Sequence, residues 1–269
     1  MPSWNPELYL KFGEERTRPA LDLALRARTL CRAADAPGAA PAILDLGCGP
    51  GNSTAVLAAV FPGAELTGLD SSPDMIEAAR KGGLNAEWLV ADASAWEPNR
   101  RYDLVFSNAV LQWIPEQAAL LKKMWAALAP GGVMAVQVPG NAESGLHRAL
   151  LSCAADPAWS PRFAGKVEGP RYRDSGFYFD TLLPLGGAVE VWETTYLHML
   201  ADHAALIDWY SGSGMRPWLE ALGDEAQRRA FKDSVLEAAK PYYPTRADGR
   251  LVFPFRRIFF TATERGGKK

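Results

Sequence analysis

The stretch Ile43-Leu44-Asp45-Leu46-Gly47-Cys48-Gly49-Pro50-Gly51 decides how this chain is read. Its first residues form a short, mostly apolar strand. Glycines at every second position then let the backbone adopt positive φ and approach a ligand closely. Asn52 to Val60 follows with helical spacing. A strand, a glycine loop and a helix in that order bring backbone amides to a site where nucleoside cofactors bind in open α/β sheets. A bare Gly-x-Gly-x-Gly says no more than that, so its surroundings carry the argument.

Downstream, strands and helices alternate. Glu65 to Leu69 reads as a strand and Pro73 to Lys81 as a helix with proline in its first turn. Strands are expected at Glu87 to Ala91 and Leu104 to Ser107, a helix at Pro115 to Leu128, a turn at Pro130-Gly131-Gly132 and a strand at Val133 to Val138. Beyond Pro139 come helical pieces near Ser144 to Ala155 and Tyr178 to Leu183, strands at Val189 to Leu197 and Leu251 to Thr263, and a mostly helical region over 202–240. Upstream, a helix is expected over Pro19 to Ala34, with 36–41 as a connector. The pattern predicts a Rossmann-like α/β fold: a mostly parallel seven-stranded sheet, helices on both faces and helical insertions covering the pocket. Residues 1–35 would form an N-terminal lid and helix and 42–139 the cofactor-binding core. Residues 140–269 would add the last strands and the cover, all within a single domain.

Acidic residues at successive strand ends identify the ligand class. Asp70 stands 19 residues beyond Gly51, the spacing of a carboxylate that accepts both ribose hydroxyls. A dehydrogenase would use the same acid, but its third fingerprint glycine is missing, because Asn52 occupies that place. A dinucleotide also brings a pyrophosphate that wants a bare helix start. S-adenosylmethionine brings an ammonium and a sulfonium instead, and Asp45 on the first strand suits that charge. Asp92-Ala93 after the third strand can accept from an adenine amino group. Asn108-Ala109 after the fourth can hold the ammonium end.

Bulk properties narrow the classes further. A formal charge of −2 over 269 residues gives no general pull on nucleic acid. Neither an Asn-Pro-Pro-Tyr-type motif nor a Pro-Cys pair is present. Cys31, Cys48 and Cys153 are scattered, which favours reduced thiols over disulfides, zinc or any other metal. With neither a signal-like start nor an apolar run of membrane length, a soluble cytoplasmic protein is expected. Oligomeric state cannot be read.

The chain resembles the class I S-adenosylmethionine-dependent methyltransferases and, within them, the trans-aconitate 2-methyltransferase family. The resemblance rests on Trp4-Asn5-Pro6-Glu7-Leu8-Tyr9-Leu10 with Phe12, Glu15-Arg16 and Arg18-Pro19, on the loop from Asp45 to Thr54, and on Asp70-Ser71-Ser72-Pro73. Leu111-Gln112-Trp113, Ala135-Val136-Gln137, Ile207-Asp208-Trp209 and Arg216-Pro217-Trp218-Leu219 complete it. It is poorest over 140–175. It implies methyl esterification of a carboxylate of trans-aconitate, with S-adenosylhomocysteine released.

Such a reaction needs no general base, since a carboxylate of pKa about 4 is ionised at neutral pH. It needs arginines to hold the carboxylates that do not react. Candidates for substrate binding are Arg16, Arg18 and Arg216, with Arg171 and Arg173 behind them, together with Tyr9, Gln112, Trp113, His147 and Tyr178. Tyr9 and Phe12 are expected to close over the cofactor, and Ser71 and Met75 to line its site with Asp45, Gly47, Gly49, Gly51, Asp70, Asp92, Ala93, Asn108 and Ala109. Each has a plainer alternative: a helix cap for an acid, a surface ion pair for an arginine, core packing for an aromatic. Competing functions are methylation of another polycarboxylate, an amine, a phenol or a ring carbon, cofactor binding without turnover, and dehydrogenation.

Overall fold

Strand β1 (Ala42–Leu46) is buried along its whole length, as expected for the centre of a sheet covered on both faces. A computed structural model of the chain describes residues 13–35, 38 and 40–264. Around β1 lie β2 (Glu65–Asp70), β3 (Glu87–Val90), β4 (Tyr102–Asn108), β5 (Leu128–Pro139), β6 (Ala188–Leu200) and β7 (Leu251–Thr263). They form one seven-stranded sheet in the order β3-β2-β1-β4-β5-β7-β6. The first five strands run parallel, and β7 is antiparallel to both β5 and β6. Strand order reverses between β1 and β4, so the connections leaving them diverge and open a crevice at their carboxyl ends.

Period-two alternation splits the sheet residues between two apolar layers. Ile43, Leu104, Val133, Ala135 and Phe259 face α1 (Gly13–Leu30), which presents Ala20, Leu23, Ala24 and Ala27 at helical spacing. Leu44, Val105, Met134, Val136 and Phe260 face the other way, against Leu120, Leu121 and Met124 of α4 (Gln117–Ala126). Two further helices lie along the core strands, α2 (Asn52–Val60) after β1 and α3 (Pro73–Lys81) after β2.

The chain beyond Pro139 builds a third apolar cluster of its own. It joins α5 (Gly145–Ala155), α8 (His203–Ser211), α9 (Arg216–Glu220) and α10 (Glu225–Ala239) to Leu251, Phe253 and Phe255 of β7. The short α6 (Ser160–Phe163) adds Phe163 to it, whereas α7 (Ser175–Leu182) packs Tyr178 and Leu182 on the sheet. This cluster hangs over the carboxyl ends of the parallel strands.

Three expectations need adjusting. The N-terminal helix is already formed at Gly13, ahead of Pro19, and ends at Leu30, with a separate turn over Arg32–Asp35. Proline there removes only one backbone bond, and the stripe Ala20, Leu23, Ala24 and Ala27 that follows it packs the helix on the sheet. Pro130-Gly131-Gly132 belongs to β5 as a bulge: Leu128 pairs with Tyr102, and the next pair is Val133 with Leu104. The 202–240 region is broken into three helices, the first two stopped by turns containing Gly212 and Gly223 and the third by the Lys240–Tyr242 turn with its proline.

Candidate functional site

Gly47, Gly49 and Gly51 adopt φ of 77°, 55° and 94°, the left-handed region that glycine enters without strain. They differ in what surrounds them. A Cβ on Gly47 would strike Val110 at 2.2 Å, whereas one on Gly49 would project into open space. Gly51 caps α2, and a Cβ there would press on Trp88 at 3.2 Å. Gly47 and Gly49 therefore face the crevice, while Gly51 is withdrawn from it and serves the turn and its packing.

The loop is tied down from beneath. Amides of Gly47 and Cys48 donate to the Leu69 carbonyl at 2.7 and 3.0 Å, and that of Gly49 donates to Asp70 Oδ2 at 3.0 Å. Asp70 Oδ1 accepts from the Ser72 amide at 2.9 Å, so each oxygen keeps a lone pair for a ligand. Burial pushes the Asp70 carboxyl above its usual range against these amide bonds.

Asp45 lies under the loop, not on the crevice wall. Its Oδ2 accepts from Ser53 Oγ and Thr54 Oγ1, both at 2.7 Å. Its Oδ1 is buried and accepts from no described residue. Desolvation pushes this carboxyl up to about 6, the hydroxyl bonds opposing and the Asp70 charge adding. A buried acceptor in this condition favours a nearby cation, which fits the ammonium of S-adenosylmethionine.

The crevice opens into a cavity of about 1010 Å³, large enough for a nucleoside cofactor and a small acid together. Gly47, Gly49, Asp70, Ser71, Met75, Asp92, Ala93, Asn108, Ala109, Gln112 and Trp113 all line it. Asn108 Oδ1 and Gln112 Oε1 are buried acceptors without partners among the described residues. Ala109 has φ 60°, the one non-glycine in that region among the described residues. Its amide is held by the Gln137 carbonyl and its carbonyl by Gln112 Nε2, at 2.8 and 2.7 Å. Strain of this sort persists where neighbours over-determine the backbone, and here it turns the chain at the β4 end.

The opposite wall comes from the segment after Pro139. Arg171, Tyr172, Tyr210, Arg216 and Arg257 line it. Arg171 is held by its backbone: its amide donates to Gln112 O at 2.6 Å and its carbonyl accepts from Gln117 Nε2 at 2.7 Å. Arg216 is 12% exposed, and its Nε meets Glu220 Oε1 at 2.7 Å. Gly169 lets the Trp218 ring lie against it, since a Cβ would meet that ring at 2.5 Å.

Several expected residues stand elsewhere. Tyr178 is fully buried and donates to Gln117 Oε1 at 2.9 Å, so it braces the Arg171 segment from behind and reaches no ligand. His147 is buried with Nδ1 2.7 Å from Tyr210 Oη, one layer behind the wall, and burial lowers its pKa. Arg18 is exposed over the Tyr196 ring at 5.6 Å, and Arg173 lies over Phe177 at 4.9 Å. Neither lines the cavity. Tyr9, Phe12 and the Arg16 side chain lie outside the described residues.

Arg257, Tyr172 and Tyr210 escaped the sequence reading. Arg257 did leave a signal, a second arginine in the apolar run Phe255-Arg256-Arg257-Ile258-Phe259, where alternation must send one of the two inward. Among the described residues no cluster of His, Cys, Asp and Glu could hold a metal, and no helix is long and apolar enough to cross a membrane.

A family model described as a methyltransferase domain matches residues 43–132. A trans-aconitate 2-methyltransferase from Methylobacterium radiotolerans is 44% identical over 268 residues, covering 97% of this chain and 98% of the relative. One from Paracidovorax citrulli is 41% identical, covering 97% and 98%. Among solved structures, the YcgJ protein of Bacillus subtilis has a TM-score of 0.58 at 15% identity, covering 93% of this chain and all of that one. The plantazolicin methyltransferase BpumL in complex with SAH has 0.55 at 12% identity, covering 97% and 90%. At such identities these two structures speak for the fold alone.

Proposed function

The chain belongs to the trans-aconitate 2-methyltransferase family, and from that premise we propose that it esterifies one carboxylate of trans-aconitate by direct in-line methyl transfer. The observation that carries this reading is near-full-length similarity to such enzymes, together with a cavity that has strand-end acids on one wall and three arginines, two of them beside glutamates, on the other. Its cofactor is S-adenosylmethionine, with S-adenosylhomocysteine as product.

S-adenosylmethionine supplies a methyl already activated on a positively charged sulfur. Asp70 would accept from the ribose hydroxyls, Asp92 from the adenine amino group, and Asn108 Oδ1 with Asp45 would favour the ammonium end. Gly47 and Gly49 would let the backbone approach. Arg171 and Arg216 would hold carboxylates that do not react, leaving the third beside the β4 end. No side chain has to remove a proton, so the enzyme contributes alignment and exclusion of water, which proximity alone makes worth several kcal/mol.

In this reading residues 1–35 close the site, 42–139 hold the cofactor and 140–269 complete the sheet and cover the acid, as one folding unit. The cytoplasm is the compartment proposed, in keeping with three free cysteines. The test is a transfer panel of trans-aconitate, cis-aconitate, isocitrate and unrelated amines and phenols. Ester formed from trans-aconitate with the highest kcat/KM is the expected result. Transfer only to amines or phenols would overturn the substrate, and S-adenosylhomocysteine binding with no turnover would overturn the enzyme.

A further inference from the structure

Strand β7 carries Arg256 and Arg257 side by side within Phe253-Pro254-Phe255-Arg256-Arg257-Ile258-Phe259-Phe260. Their side chains leave the strand on opposite faces. Arg256 forms a two-point ion pair with Glu193 on β6, at 2.8 and 2.5 Å, where both are partly exposed. An exposed pair of that sort stabilises a sheet edge modestly. Arg257 goes inward, is 5% exposed, and contributes to the wall of the large cavity.

Gln137 and Phe255 help to orient its guanidinium. Nη1 donates to Gln137 Oε1 at 3.2 Å, and the plane lies over the Phe255 ring at 4.3 Å. Gln137 is fully buried and stands in register with Asn108 on β4. Arg257 itself pairs with Pro139, so the guanidinium reaches along the sheet toward the level of Asn108. That is where Asn108 and Ala109 meet the cavity.

The charge of Arg257 is felt on this wall. It opposes the burial that raises the Tyr172 hydroxyl, and it helps burial push the His198 imidazole down to about 4. Of the acids lining the cavity, Asp70, Asp74 and Asp92 follow β2 and β3, on the far side of β1 and β4 from β7, whereas Glu168 and Glu220 belong to the covering segment, beside Arg171 and Arg216. A guanidinium desolvated by folding and fixed by an amide and a ring is a preorganised partner for a carboxylate, because little order remains to be imposed on binding.

We propose that Arg257 is the specificity-determining anchor of the site, holding a carboxylate of the acid that is not methylated so that the reacting one lies beside Asn108 and Ala109. Arg171 and Arg216 come from the covering segment, whereas Arg257 rises from the sheet itself. It therefore sets the position of the acid relative to the strand ends, and the other two close on it. This rests on the tricarboxylate reading above.

The test pairs changes in the enzyme with changes in the acid. Mesaconate, glutaconate and itaconate each lack a different carboxylate of trans-aconitate. Arg257→Gln should lower kcat/KM for trans-aconitate by about 10- to 100-fold, with S-adenosylhomocysteine affinity by calorimetry within about twofold of wild type. One dicarboxylate, the one lacking the anchored group, should be turned over equally by variant and wild type. Arg257→Lys, which keeps the charge and most of the stem, should recover part of the loss on trans-aconitate. Equal losses on trans-aconitate and on every dicarboxylate that is a substrate would overturn the anchor, and so would failure of both variants to bind S-adenosylhomocysteine. A wild-type enzyme that esterifies none of these acids while methylating another acceptor would instead overturn the reading of function.

Discussion

The two ends of the cavity are made in different ways. At the end formed by β1 to β4, the contacts come from one continuous run of chain: glycine backbone, strand-end acids and amides held by main-chain bonds. At the other end, Arg171, Arg216 and Arg257 arrive from a loop, a short helix and an antiparallel strand, each propped by a different neighbour. A ligand common to many enzymes suits the first construction, because backbone geometry tolerates change in most side chains. A ligand particular to one family suits the second, in which long side chains can be repositioned without disturbing the sheet.

The strongest test of this contrast is Asp70→Ala. Loss of an acceptor for two hydroxyls should weaken S-adenosylhomocysteine binding by about 100-fold in calorimetry. Affinity near wild type would remove Asp70 from the cofactor end.

Asp45 offers a pH test of that same end. Its folded carboxyl is held at about 6 against 3.8 as the reference, so folding takes up a proton between those values. The resulting stabilisation is complete below about pH 4 and is lost as pH rises through 6, amounting to about 3 kcal/mol. The ligand-free protein should therefore lose stability to urea over that window relative to Asp45→Asn. Parallel profiles would mean that the buried carboxyl is not perturbed.

Arg216→Ala probes the other end. We expect KM for the acid to rise about tenfold with S-adenosylhomocysteine affinity unchanged. Matching effects on both ligands would reduce Arg216 to a structural partner of Glu220.

Tyr178→Phe separates bracing from binding. Losing its bond to Gln117 should cost about 1 kcal/mol in denaturant melts, with KM for the acid left within about twofold. Smallest of all, Arg18→Ala should leave both KM and cofactor affinity within about twofold, as for an exposed side chain remote from the cavity.

That the glycine loop and the strand-end acids share one crevice was legible in the sequence because the signals are local. A glycine loop, a strand-end acid at a set distance and a proline-led helix each follow from neighbouring residues, and the sheet containing them forms as the alternation indicates. The acceptor end was legible only in part. His147 and Tyr178 carry suitable groups, yet helical rotation buries both behind the wall, against Tyr210 and Gln117. Arg171 and Arg216 were picked out beside Arg18 and Arg173, which the fold leaves outside. Only tertiary packing distinguishes these arginines, and Arg257 needed the pairing of β7 with β5 before its inward face was known.

Residues Leu200 and Leu251 close the long β6–β7 ladder as its last paired positions. Opposed residues on antiparallel strands lie about 5 Å apart. Everything between them, including α8, α9 and α10, thus leaves the sheet and rejoins it through one narrow gate. Such an arrangement resembles an interchangeable fitting: a graft at those two points must match the width of the gate and the apolar surface that α5 and α6 present to it. Arg216 would travel with the graft and Arg257 would stay behind, so on the roles proposed for them the acceptor contacts would be divided between the inserted segment and the sheet.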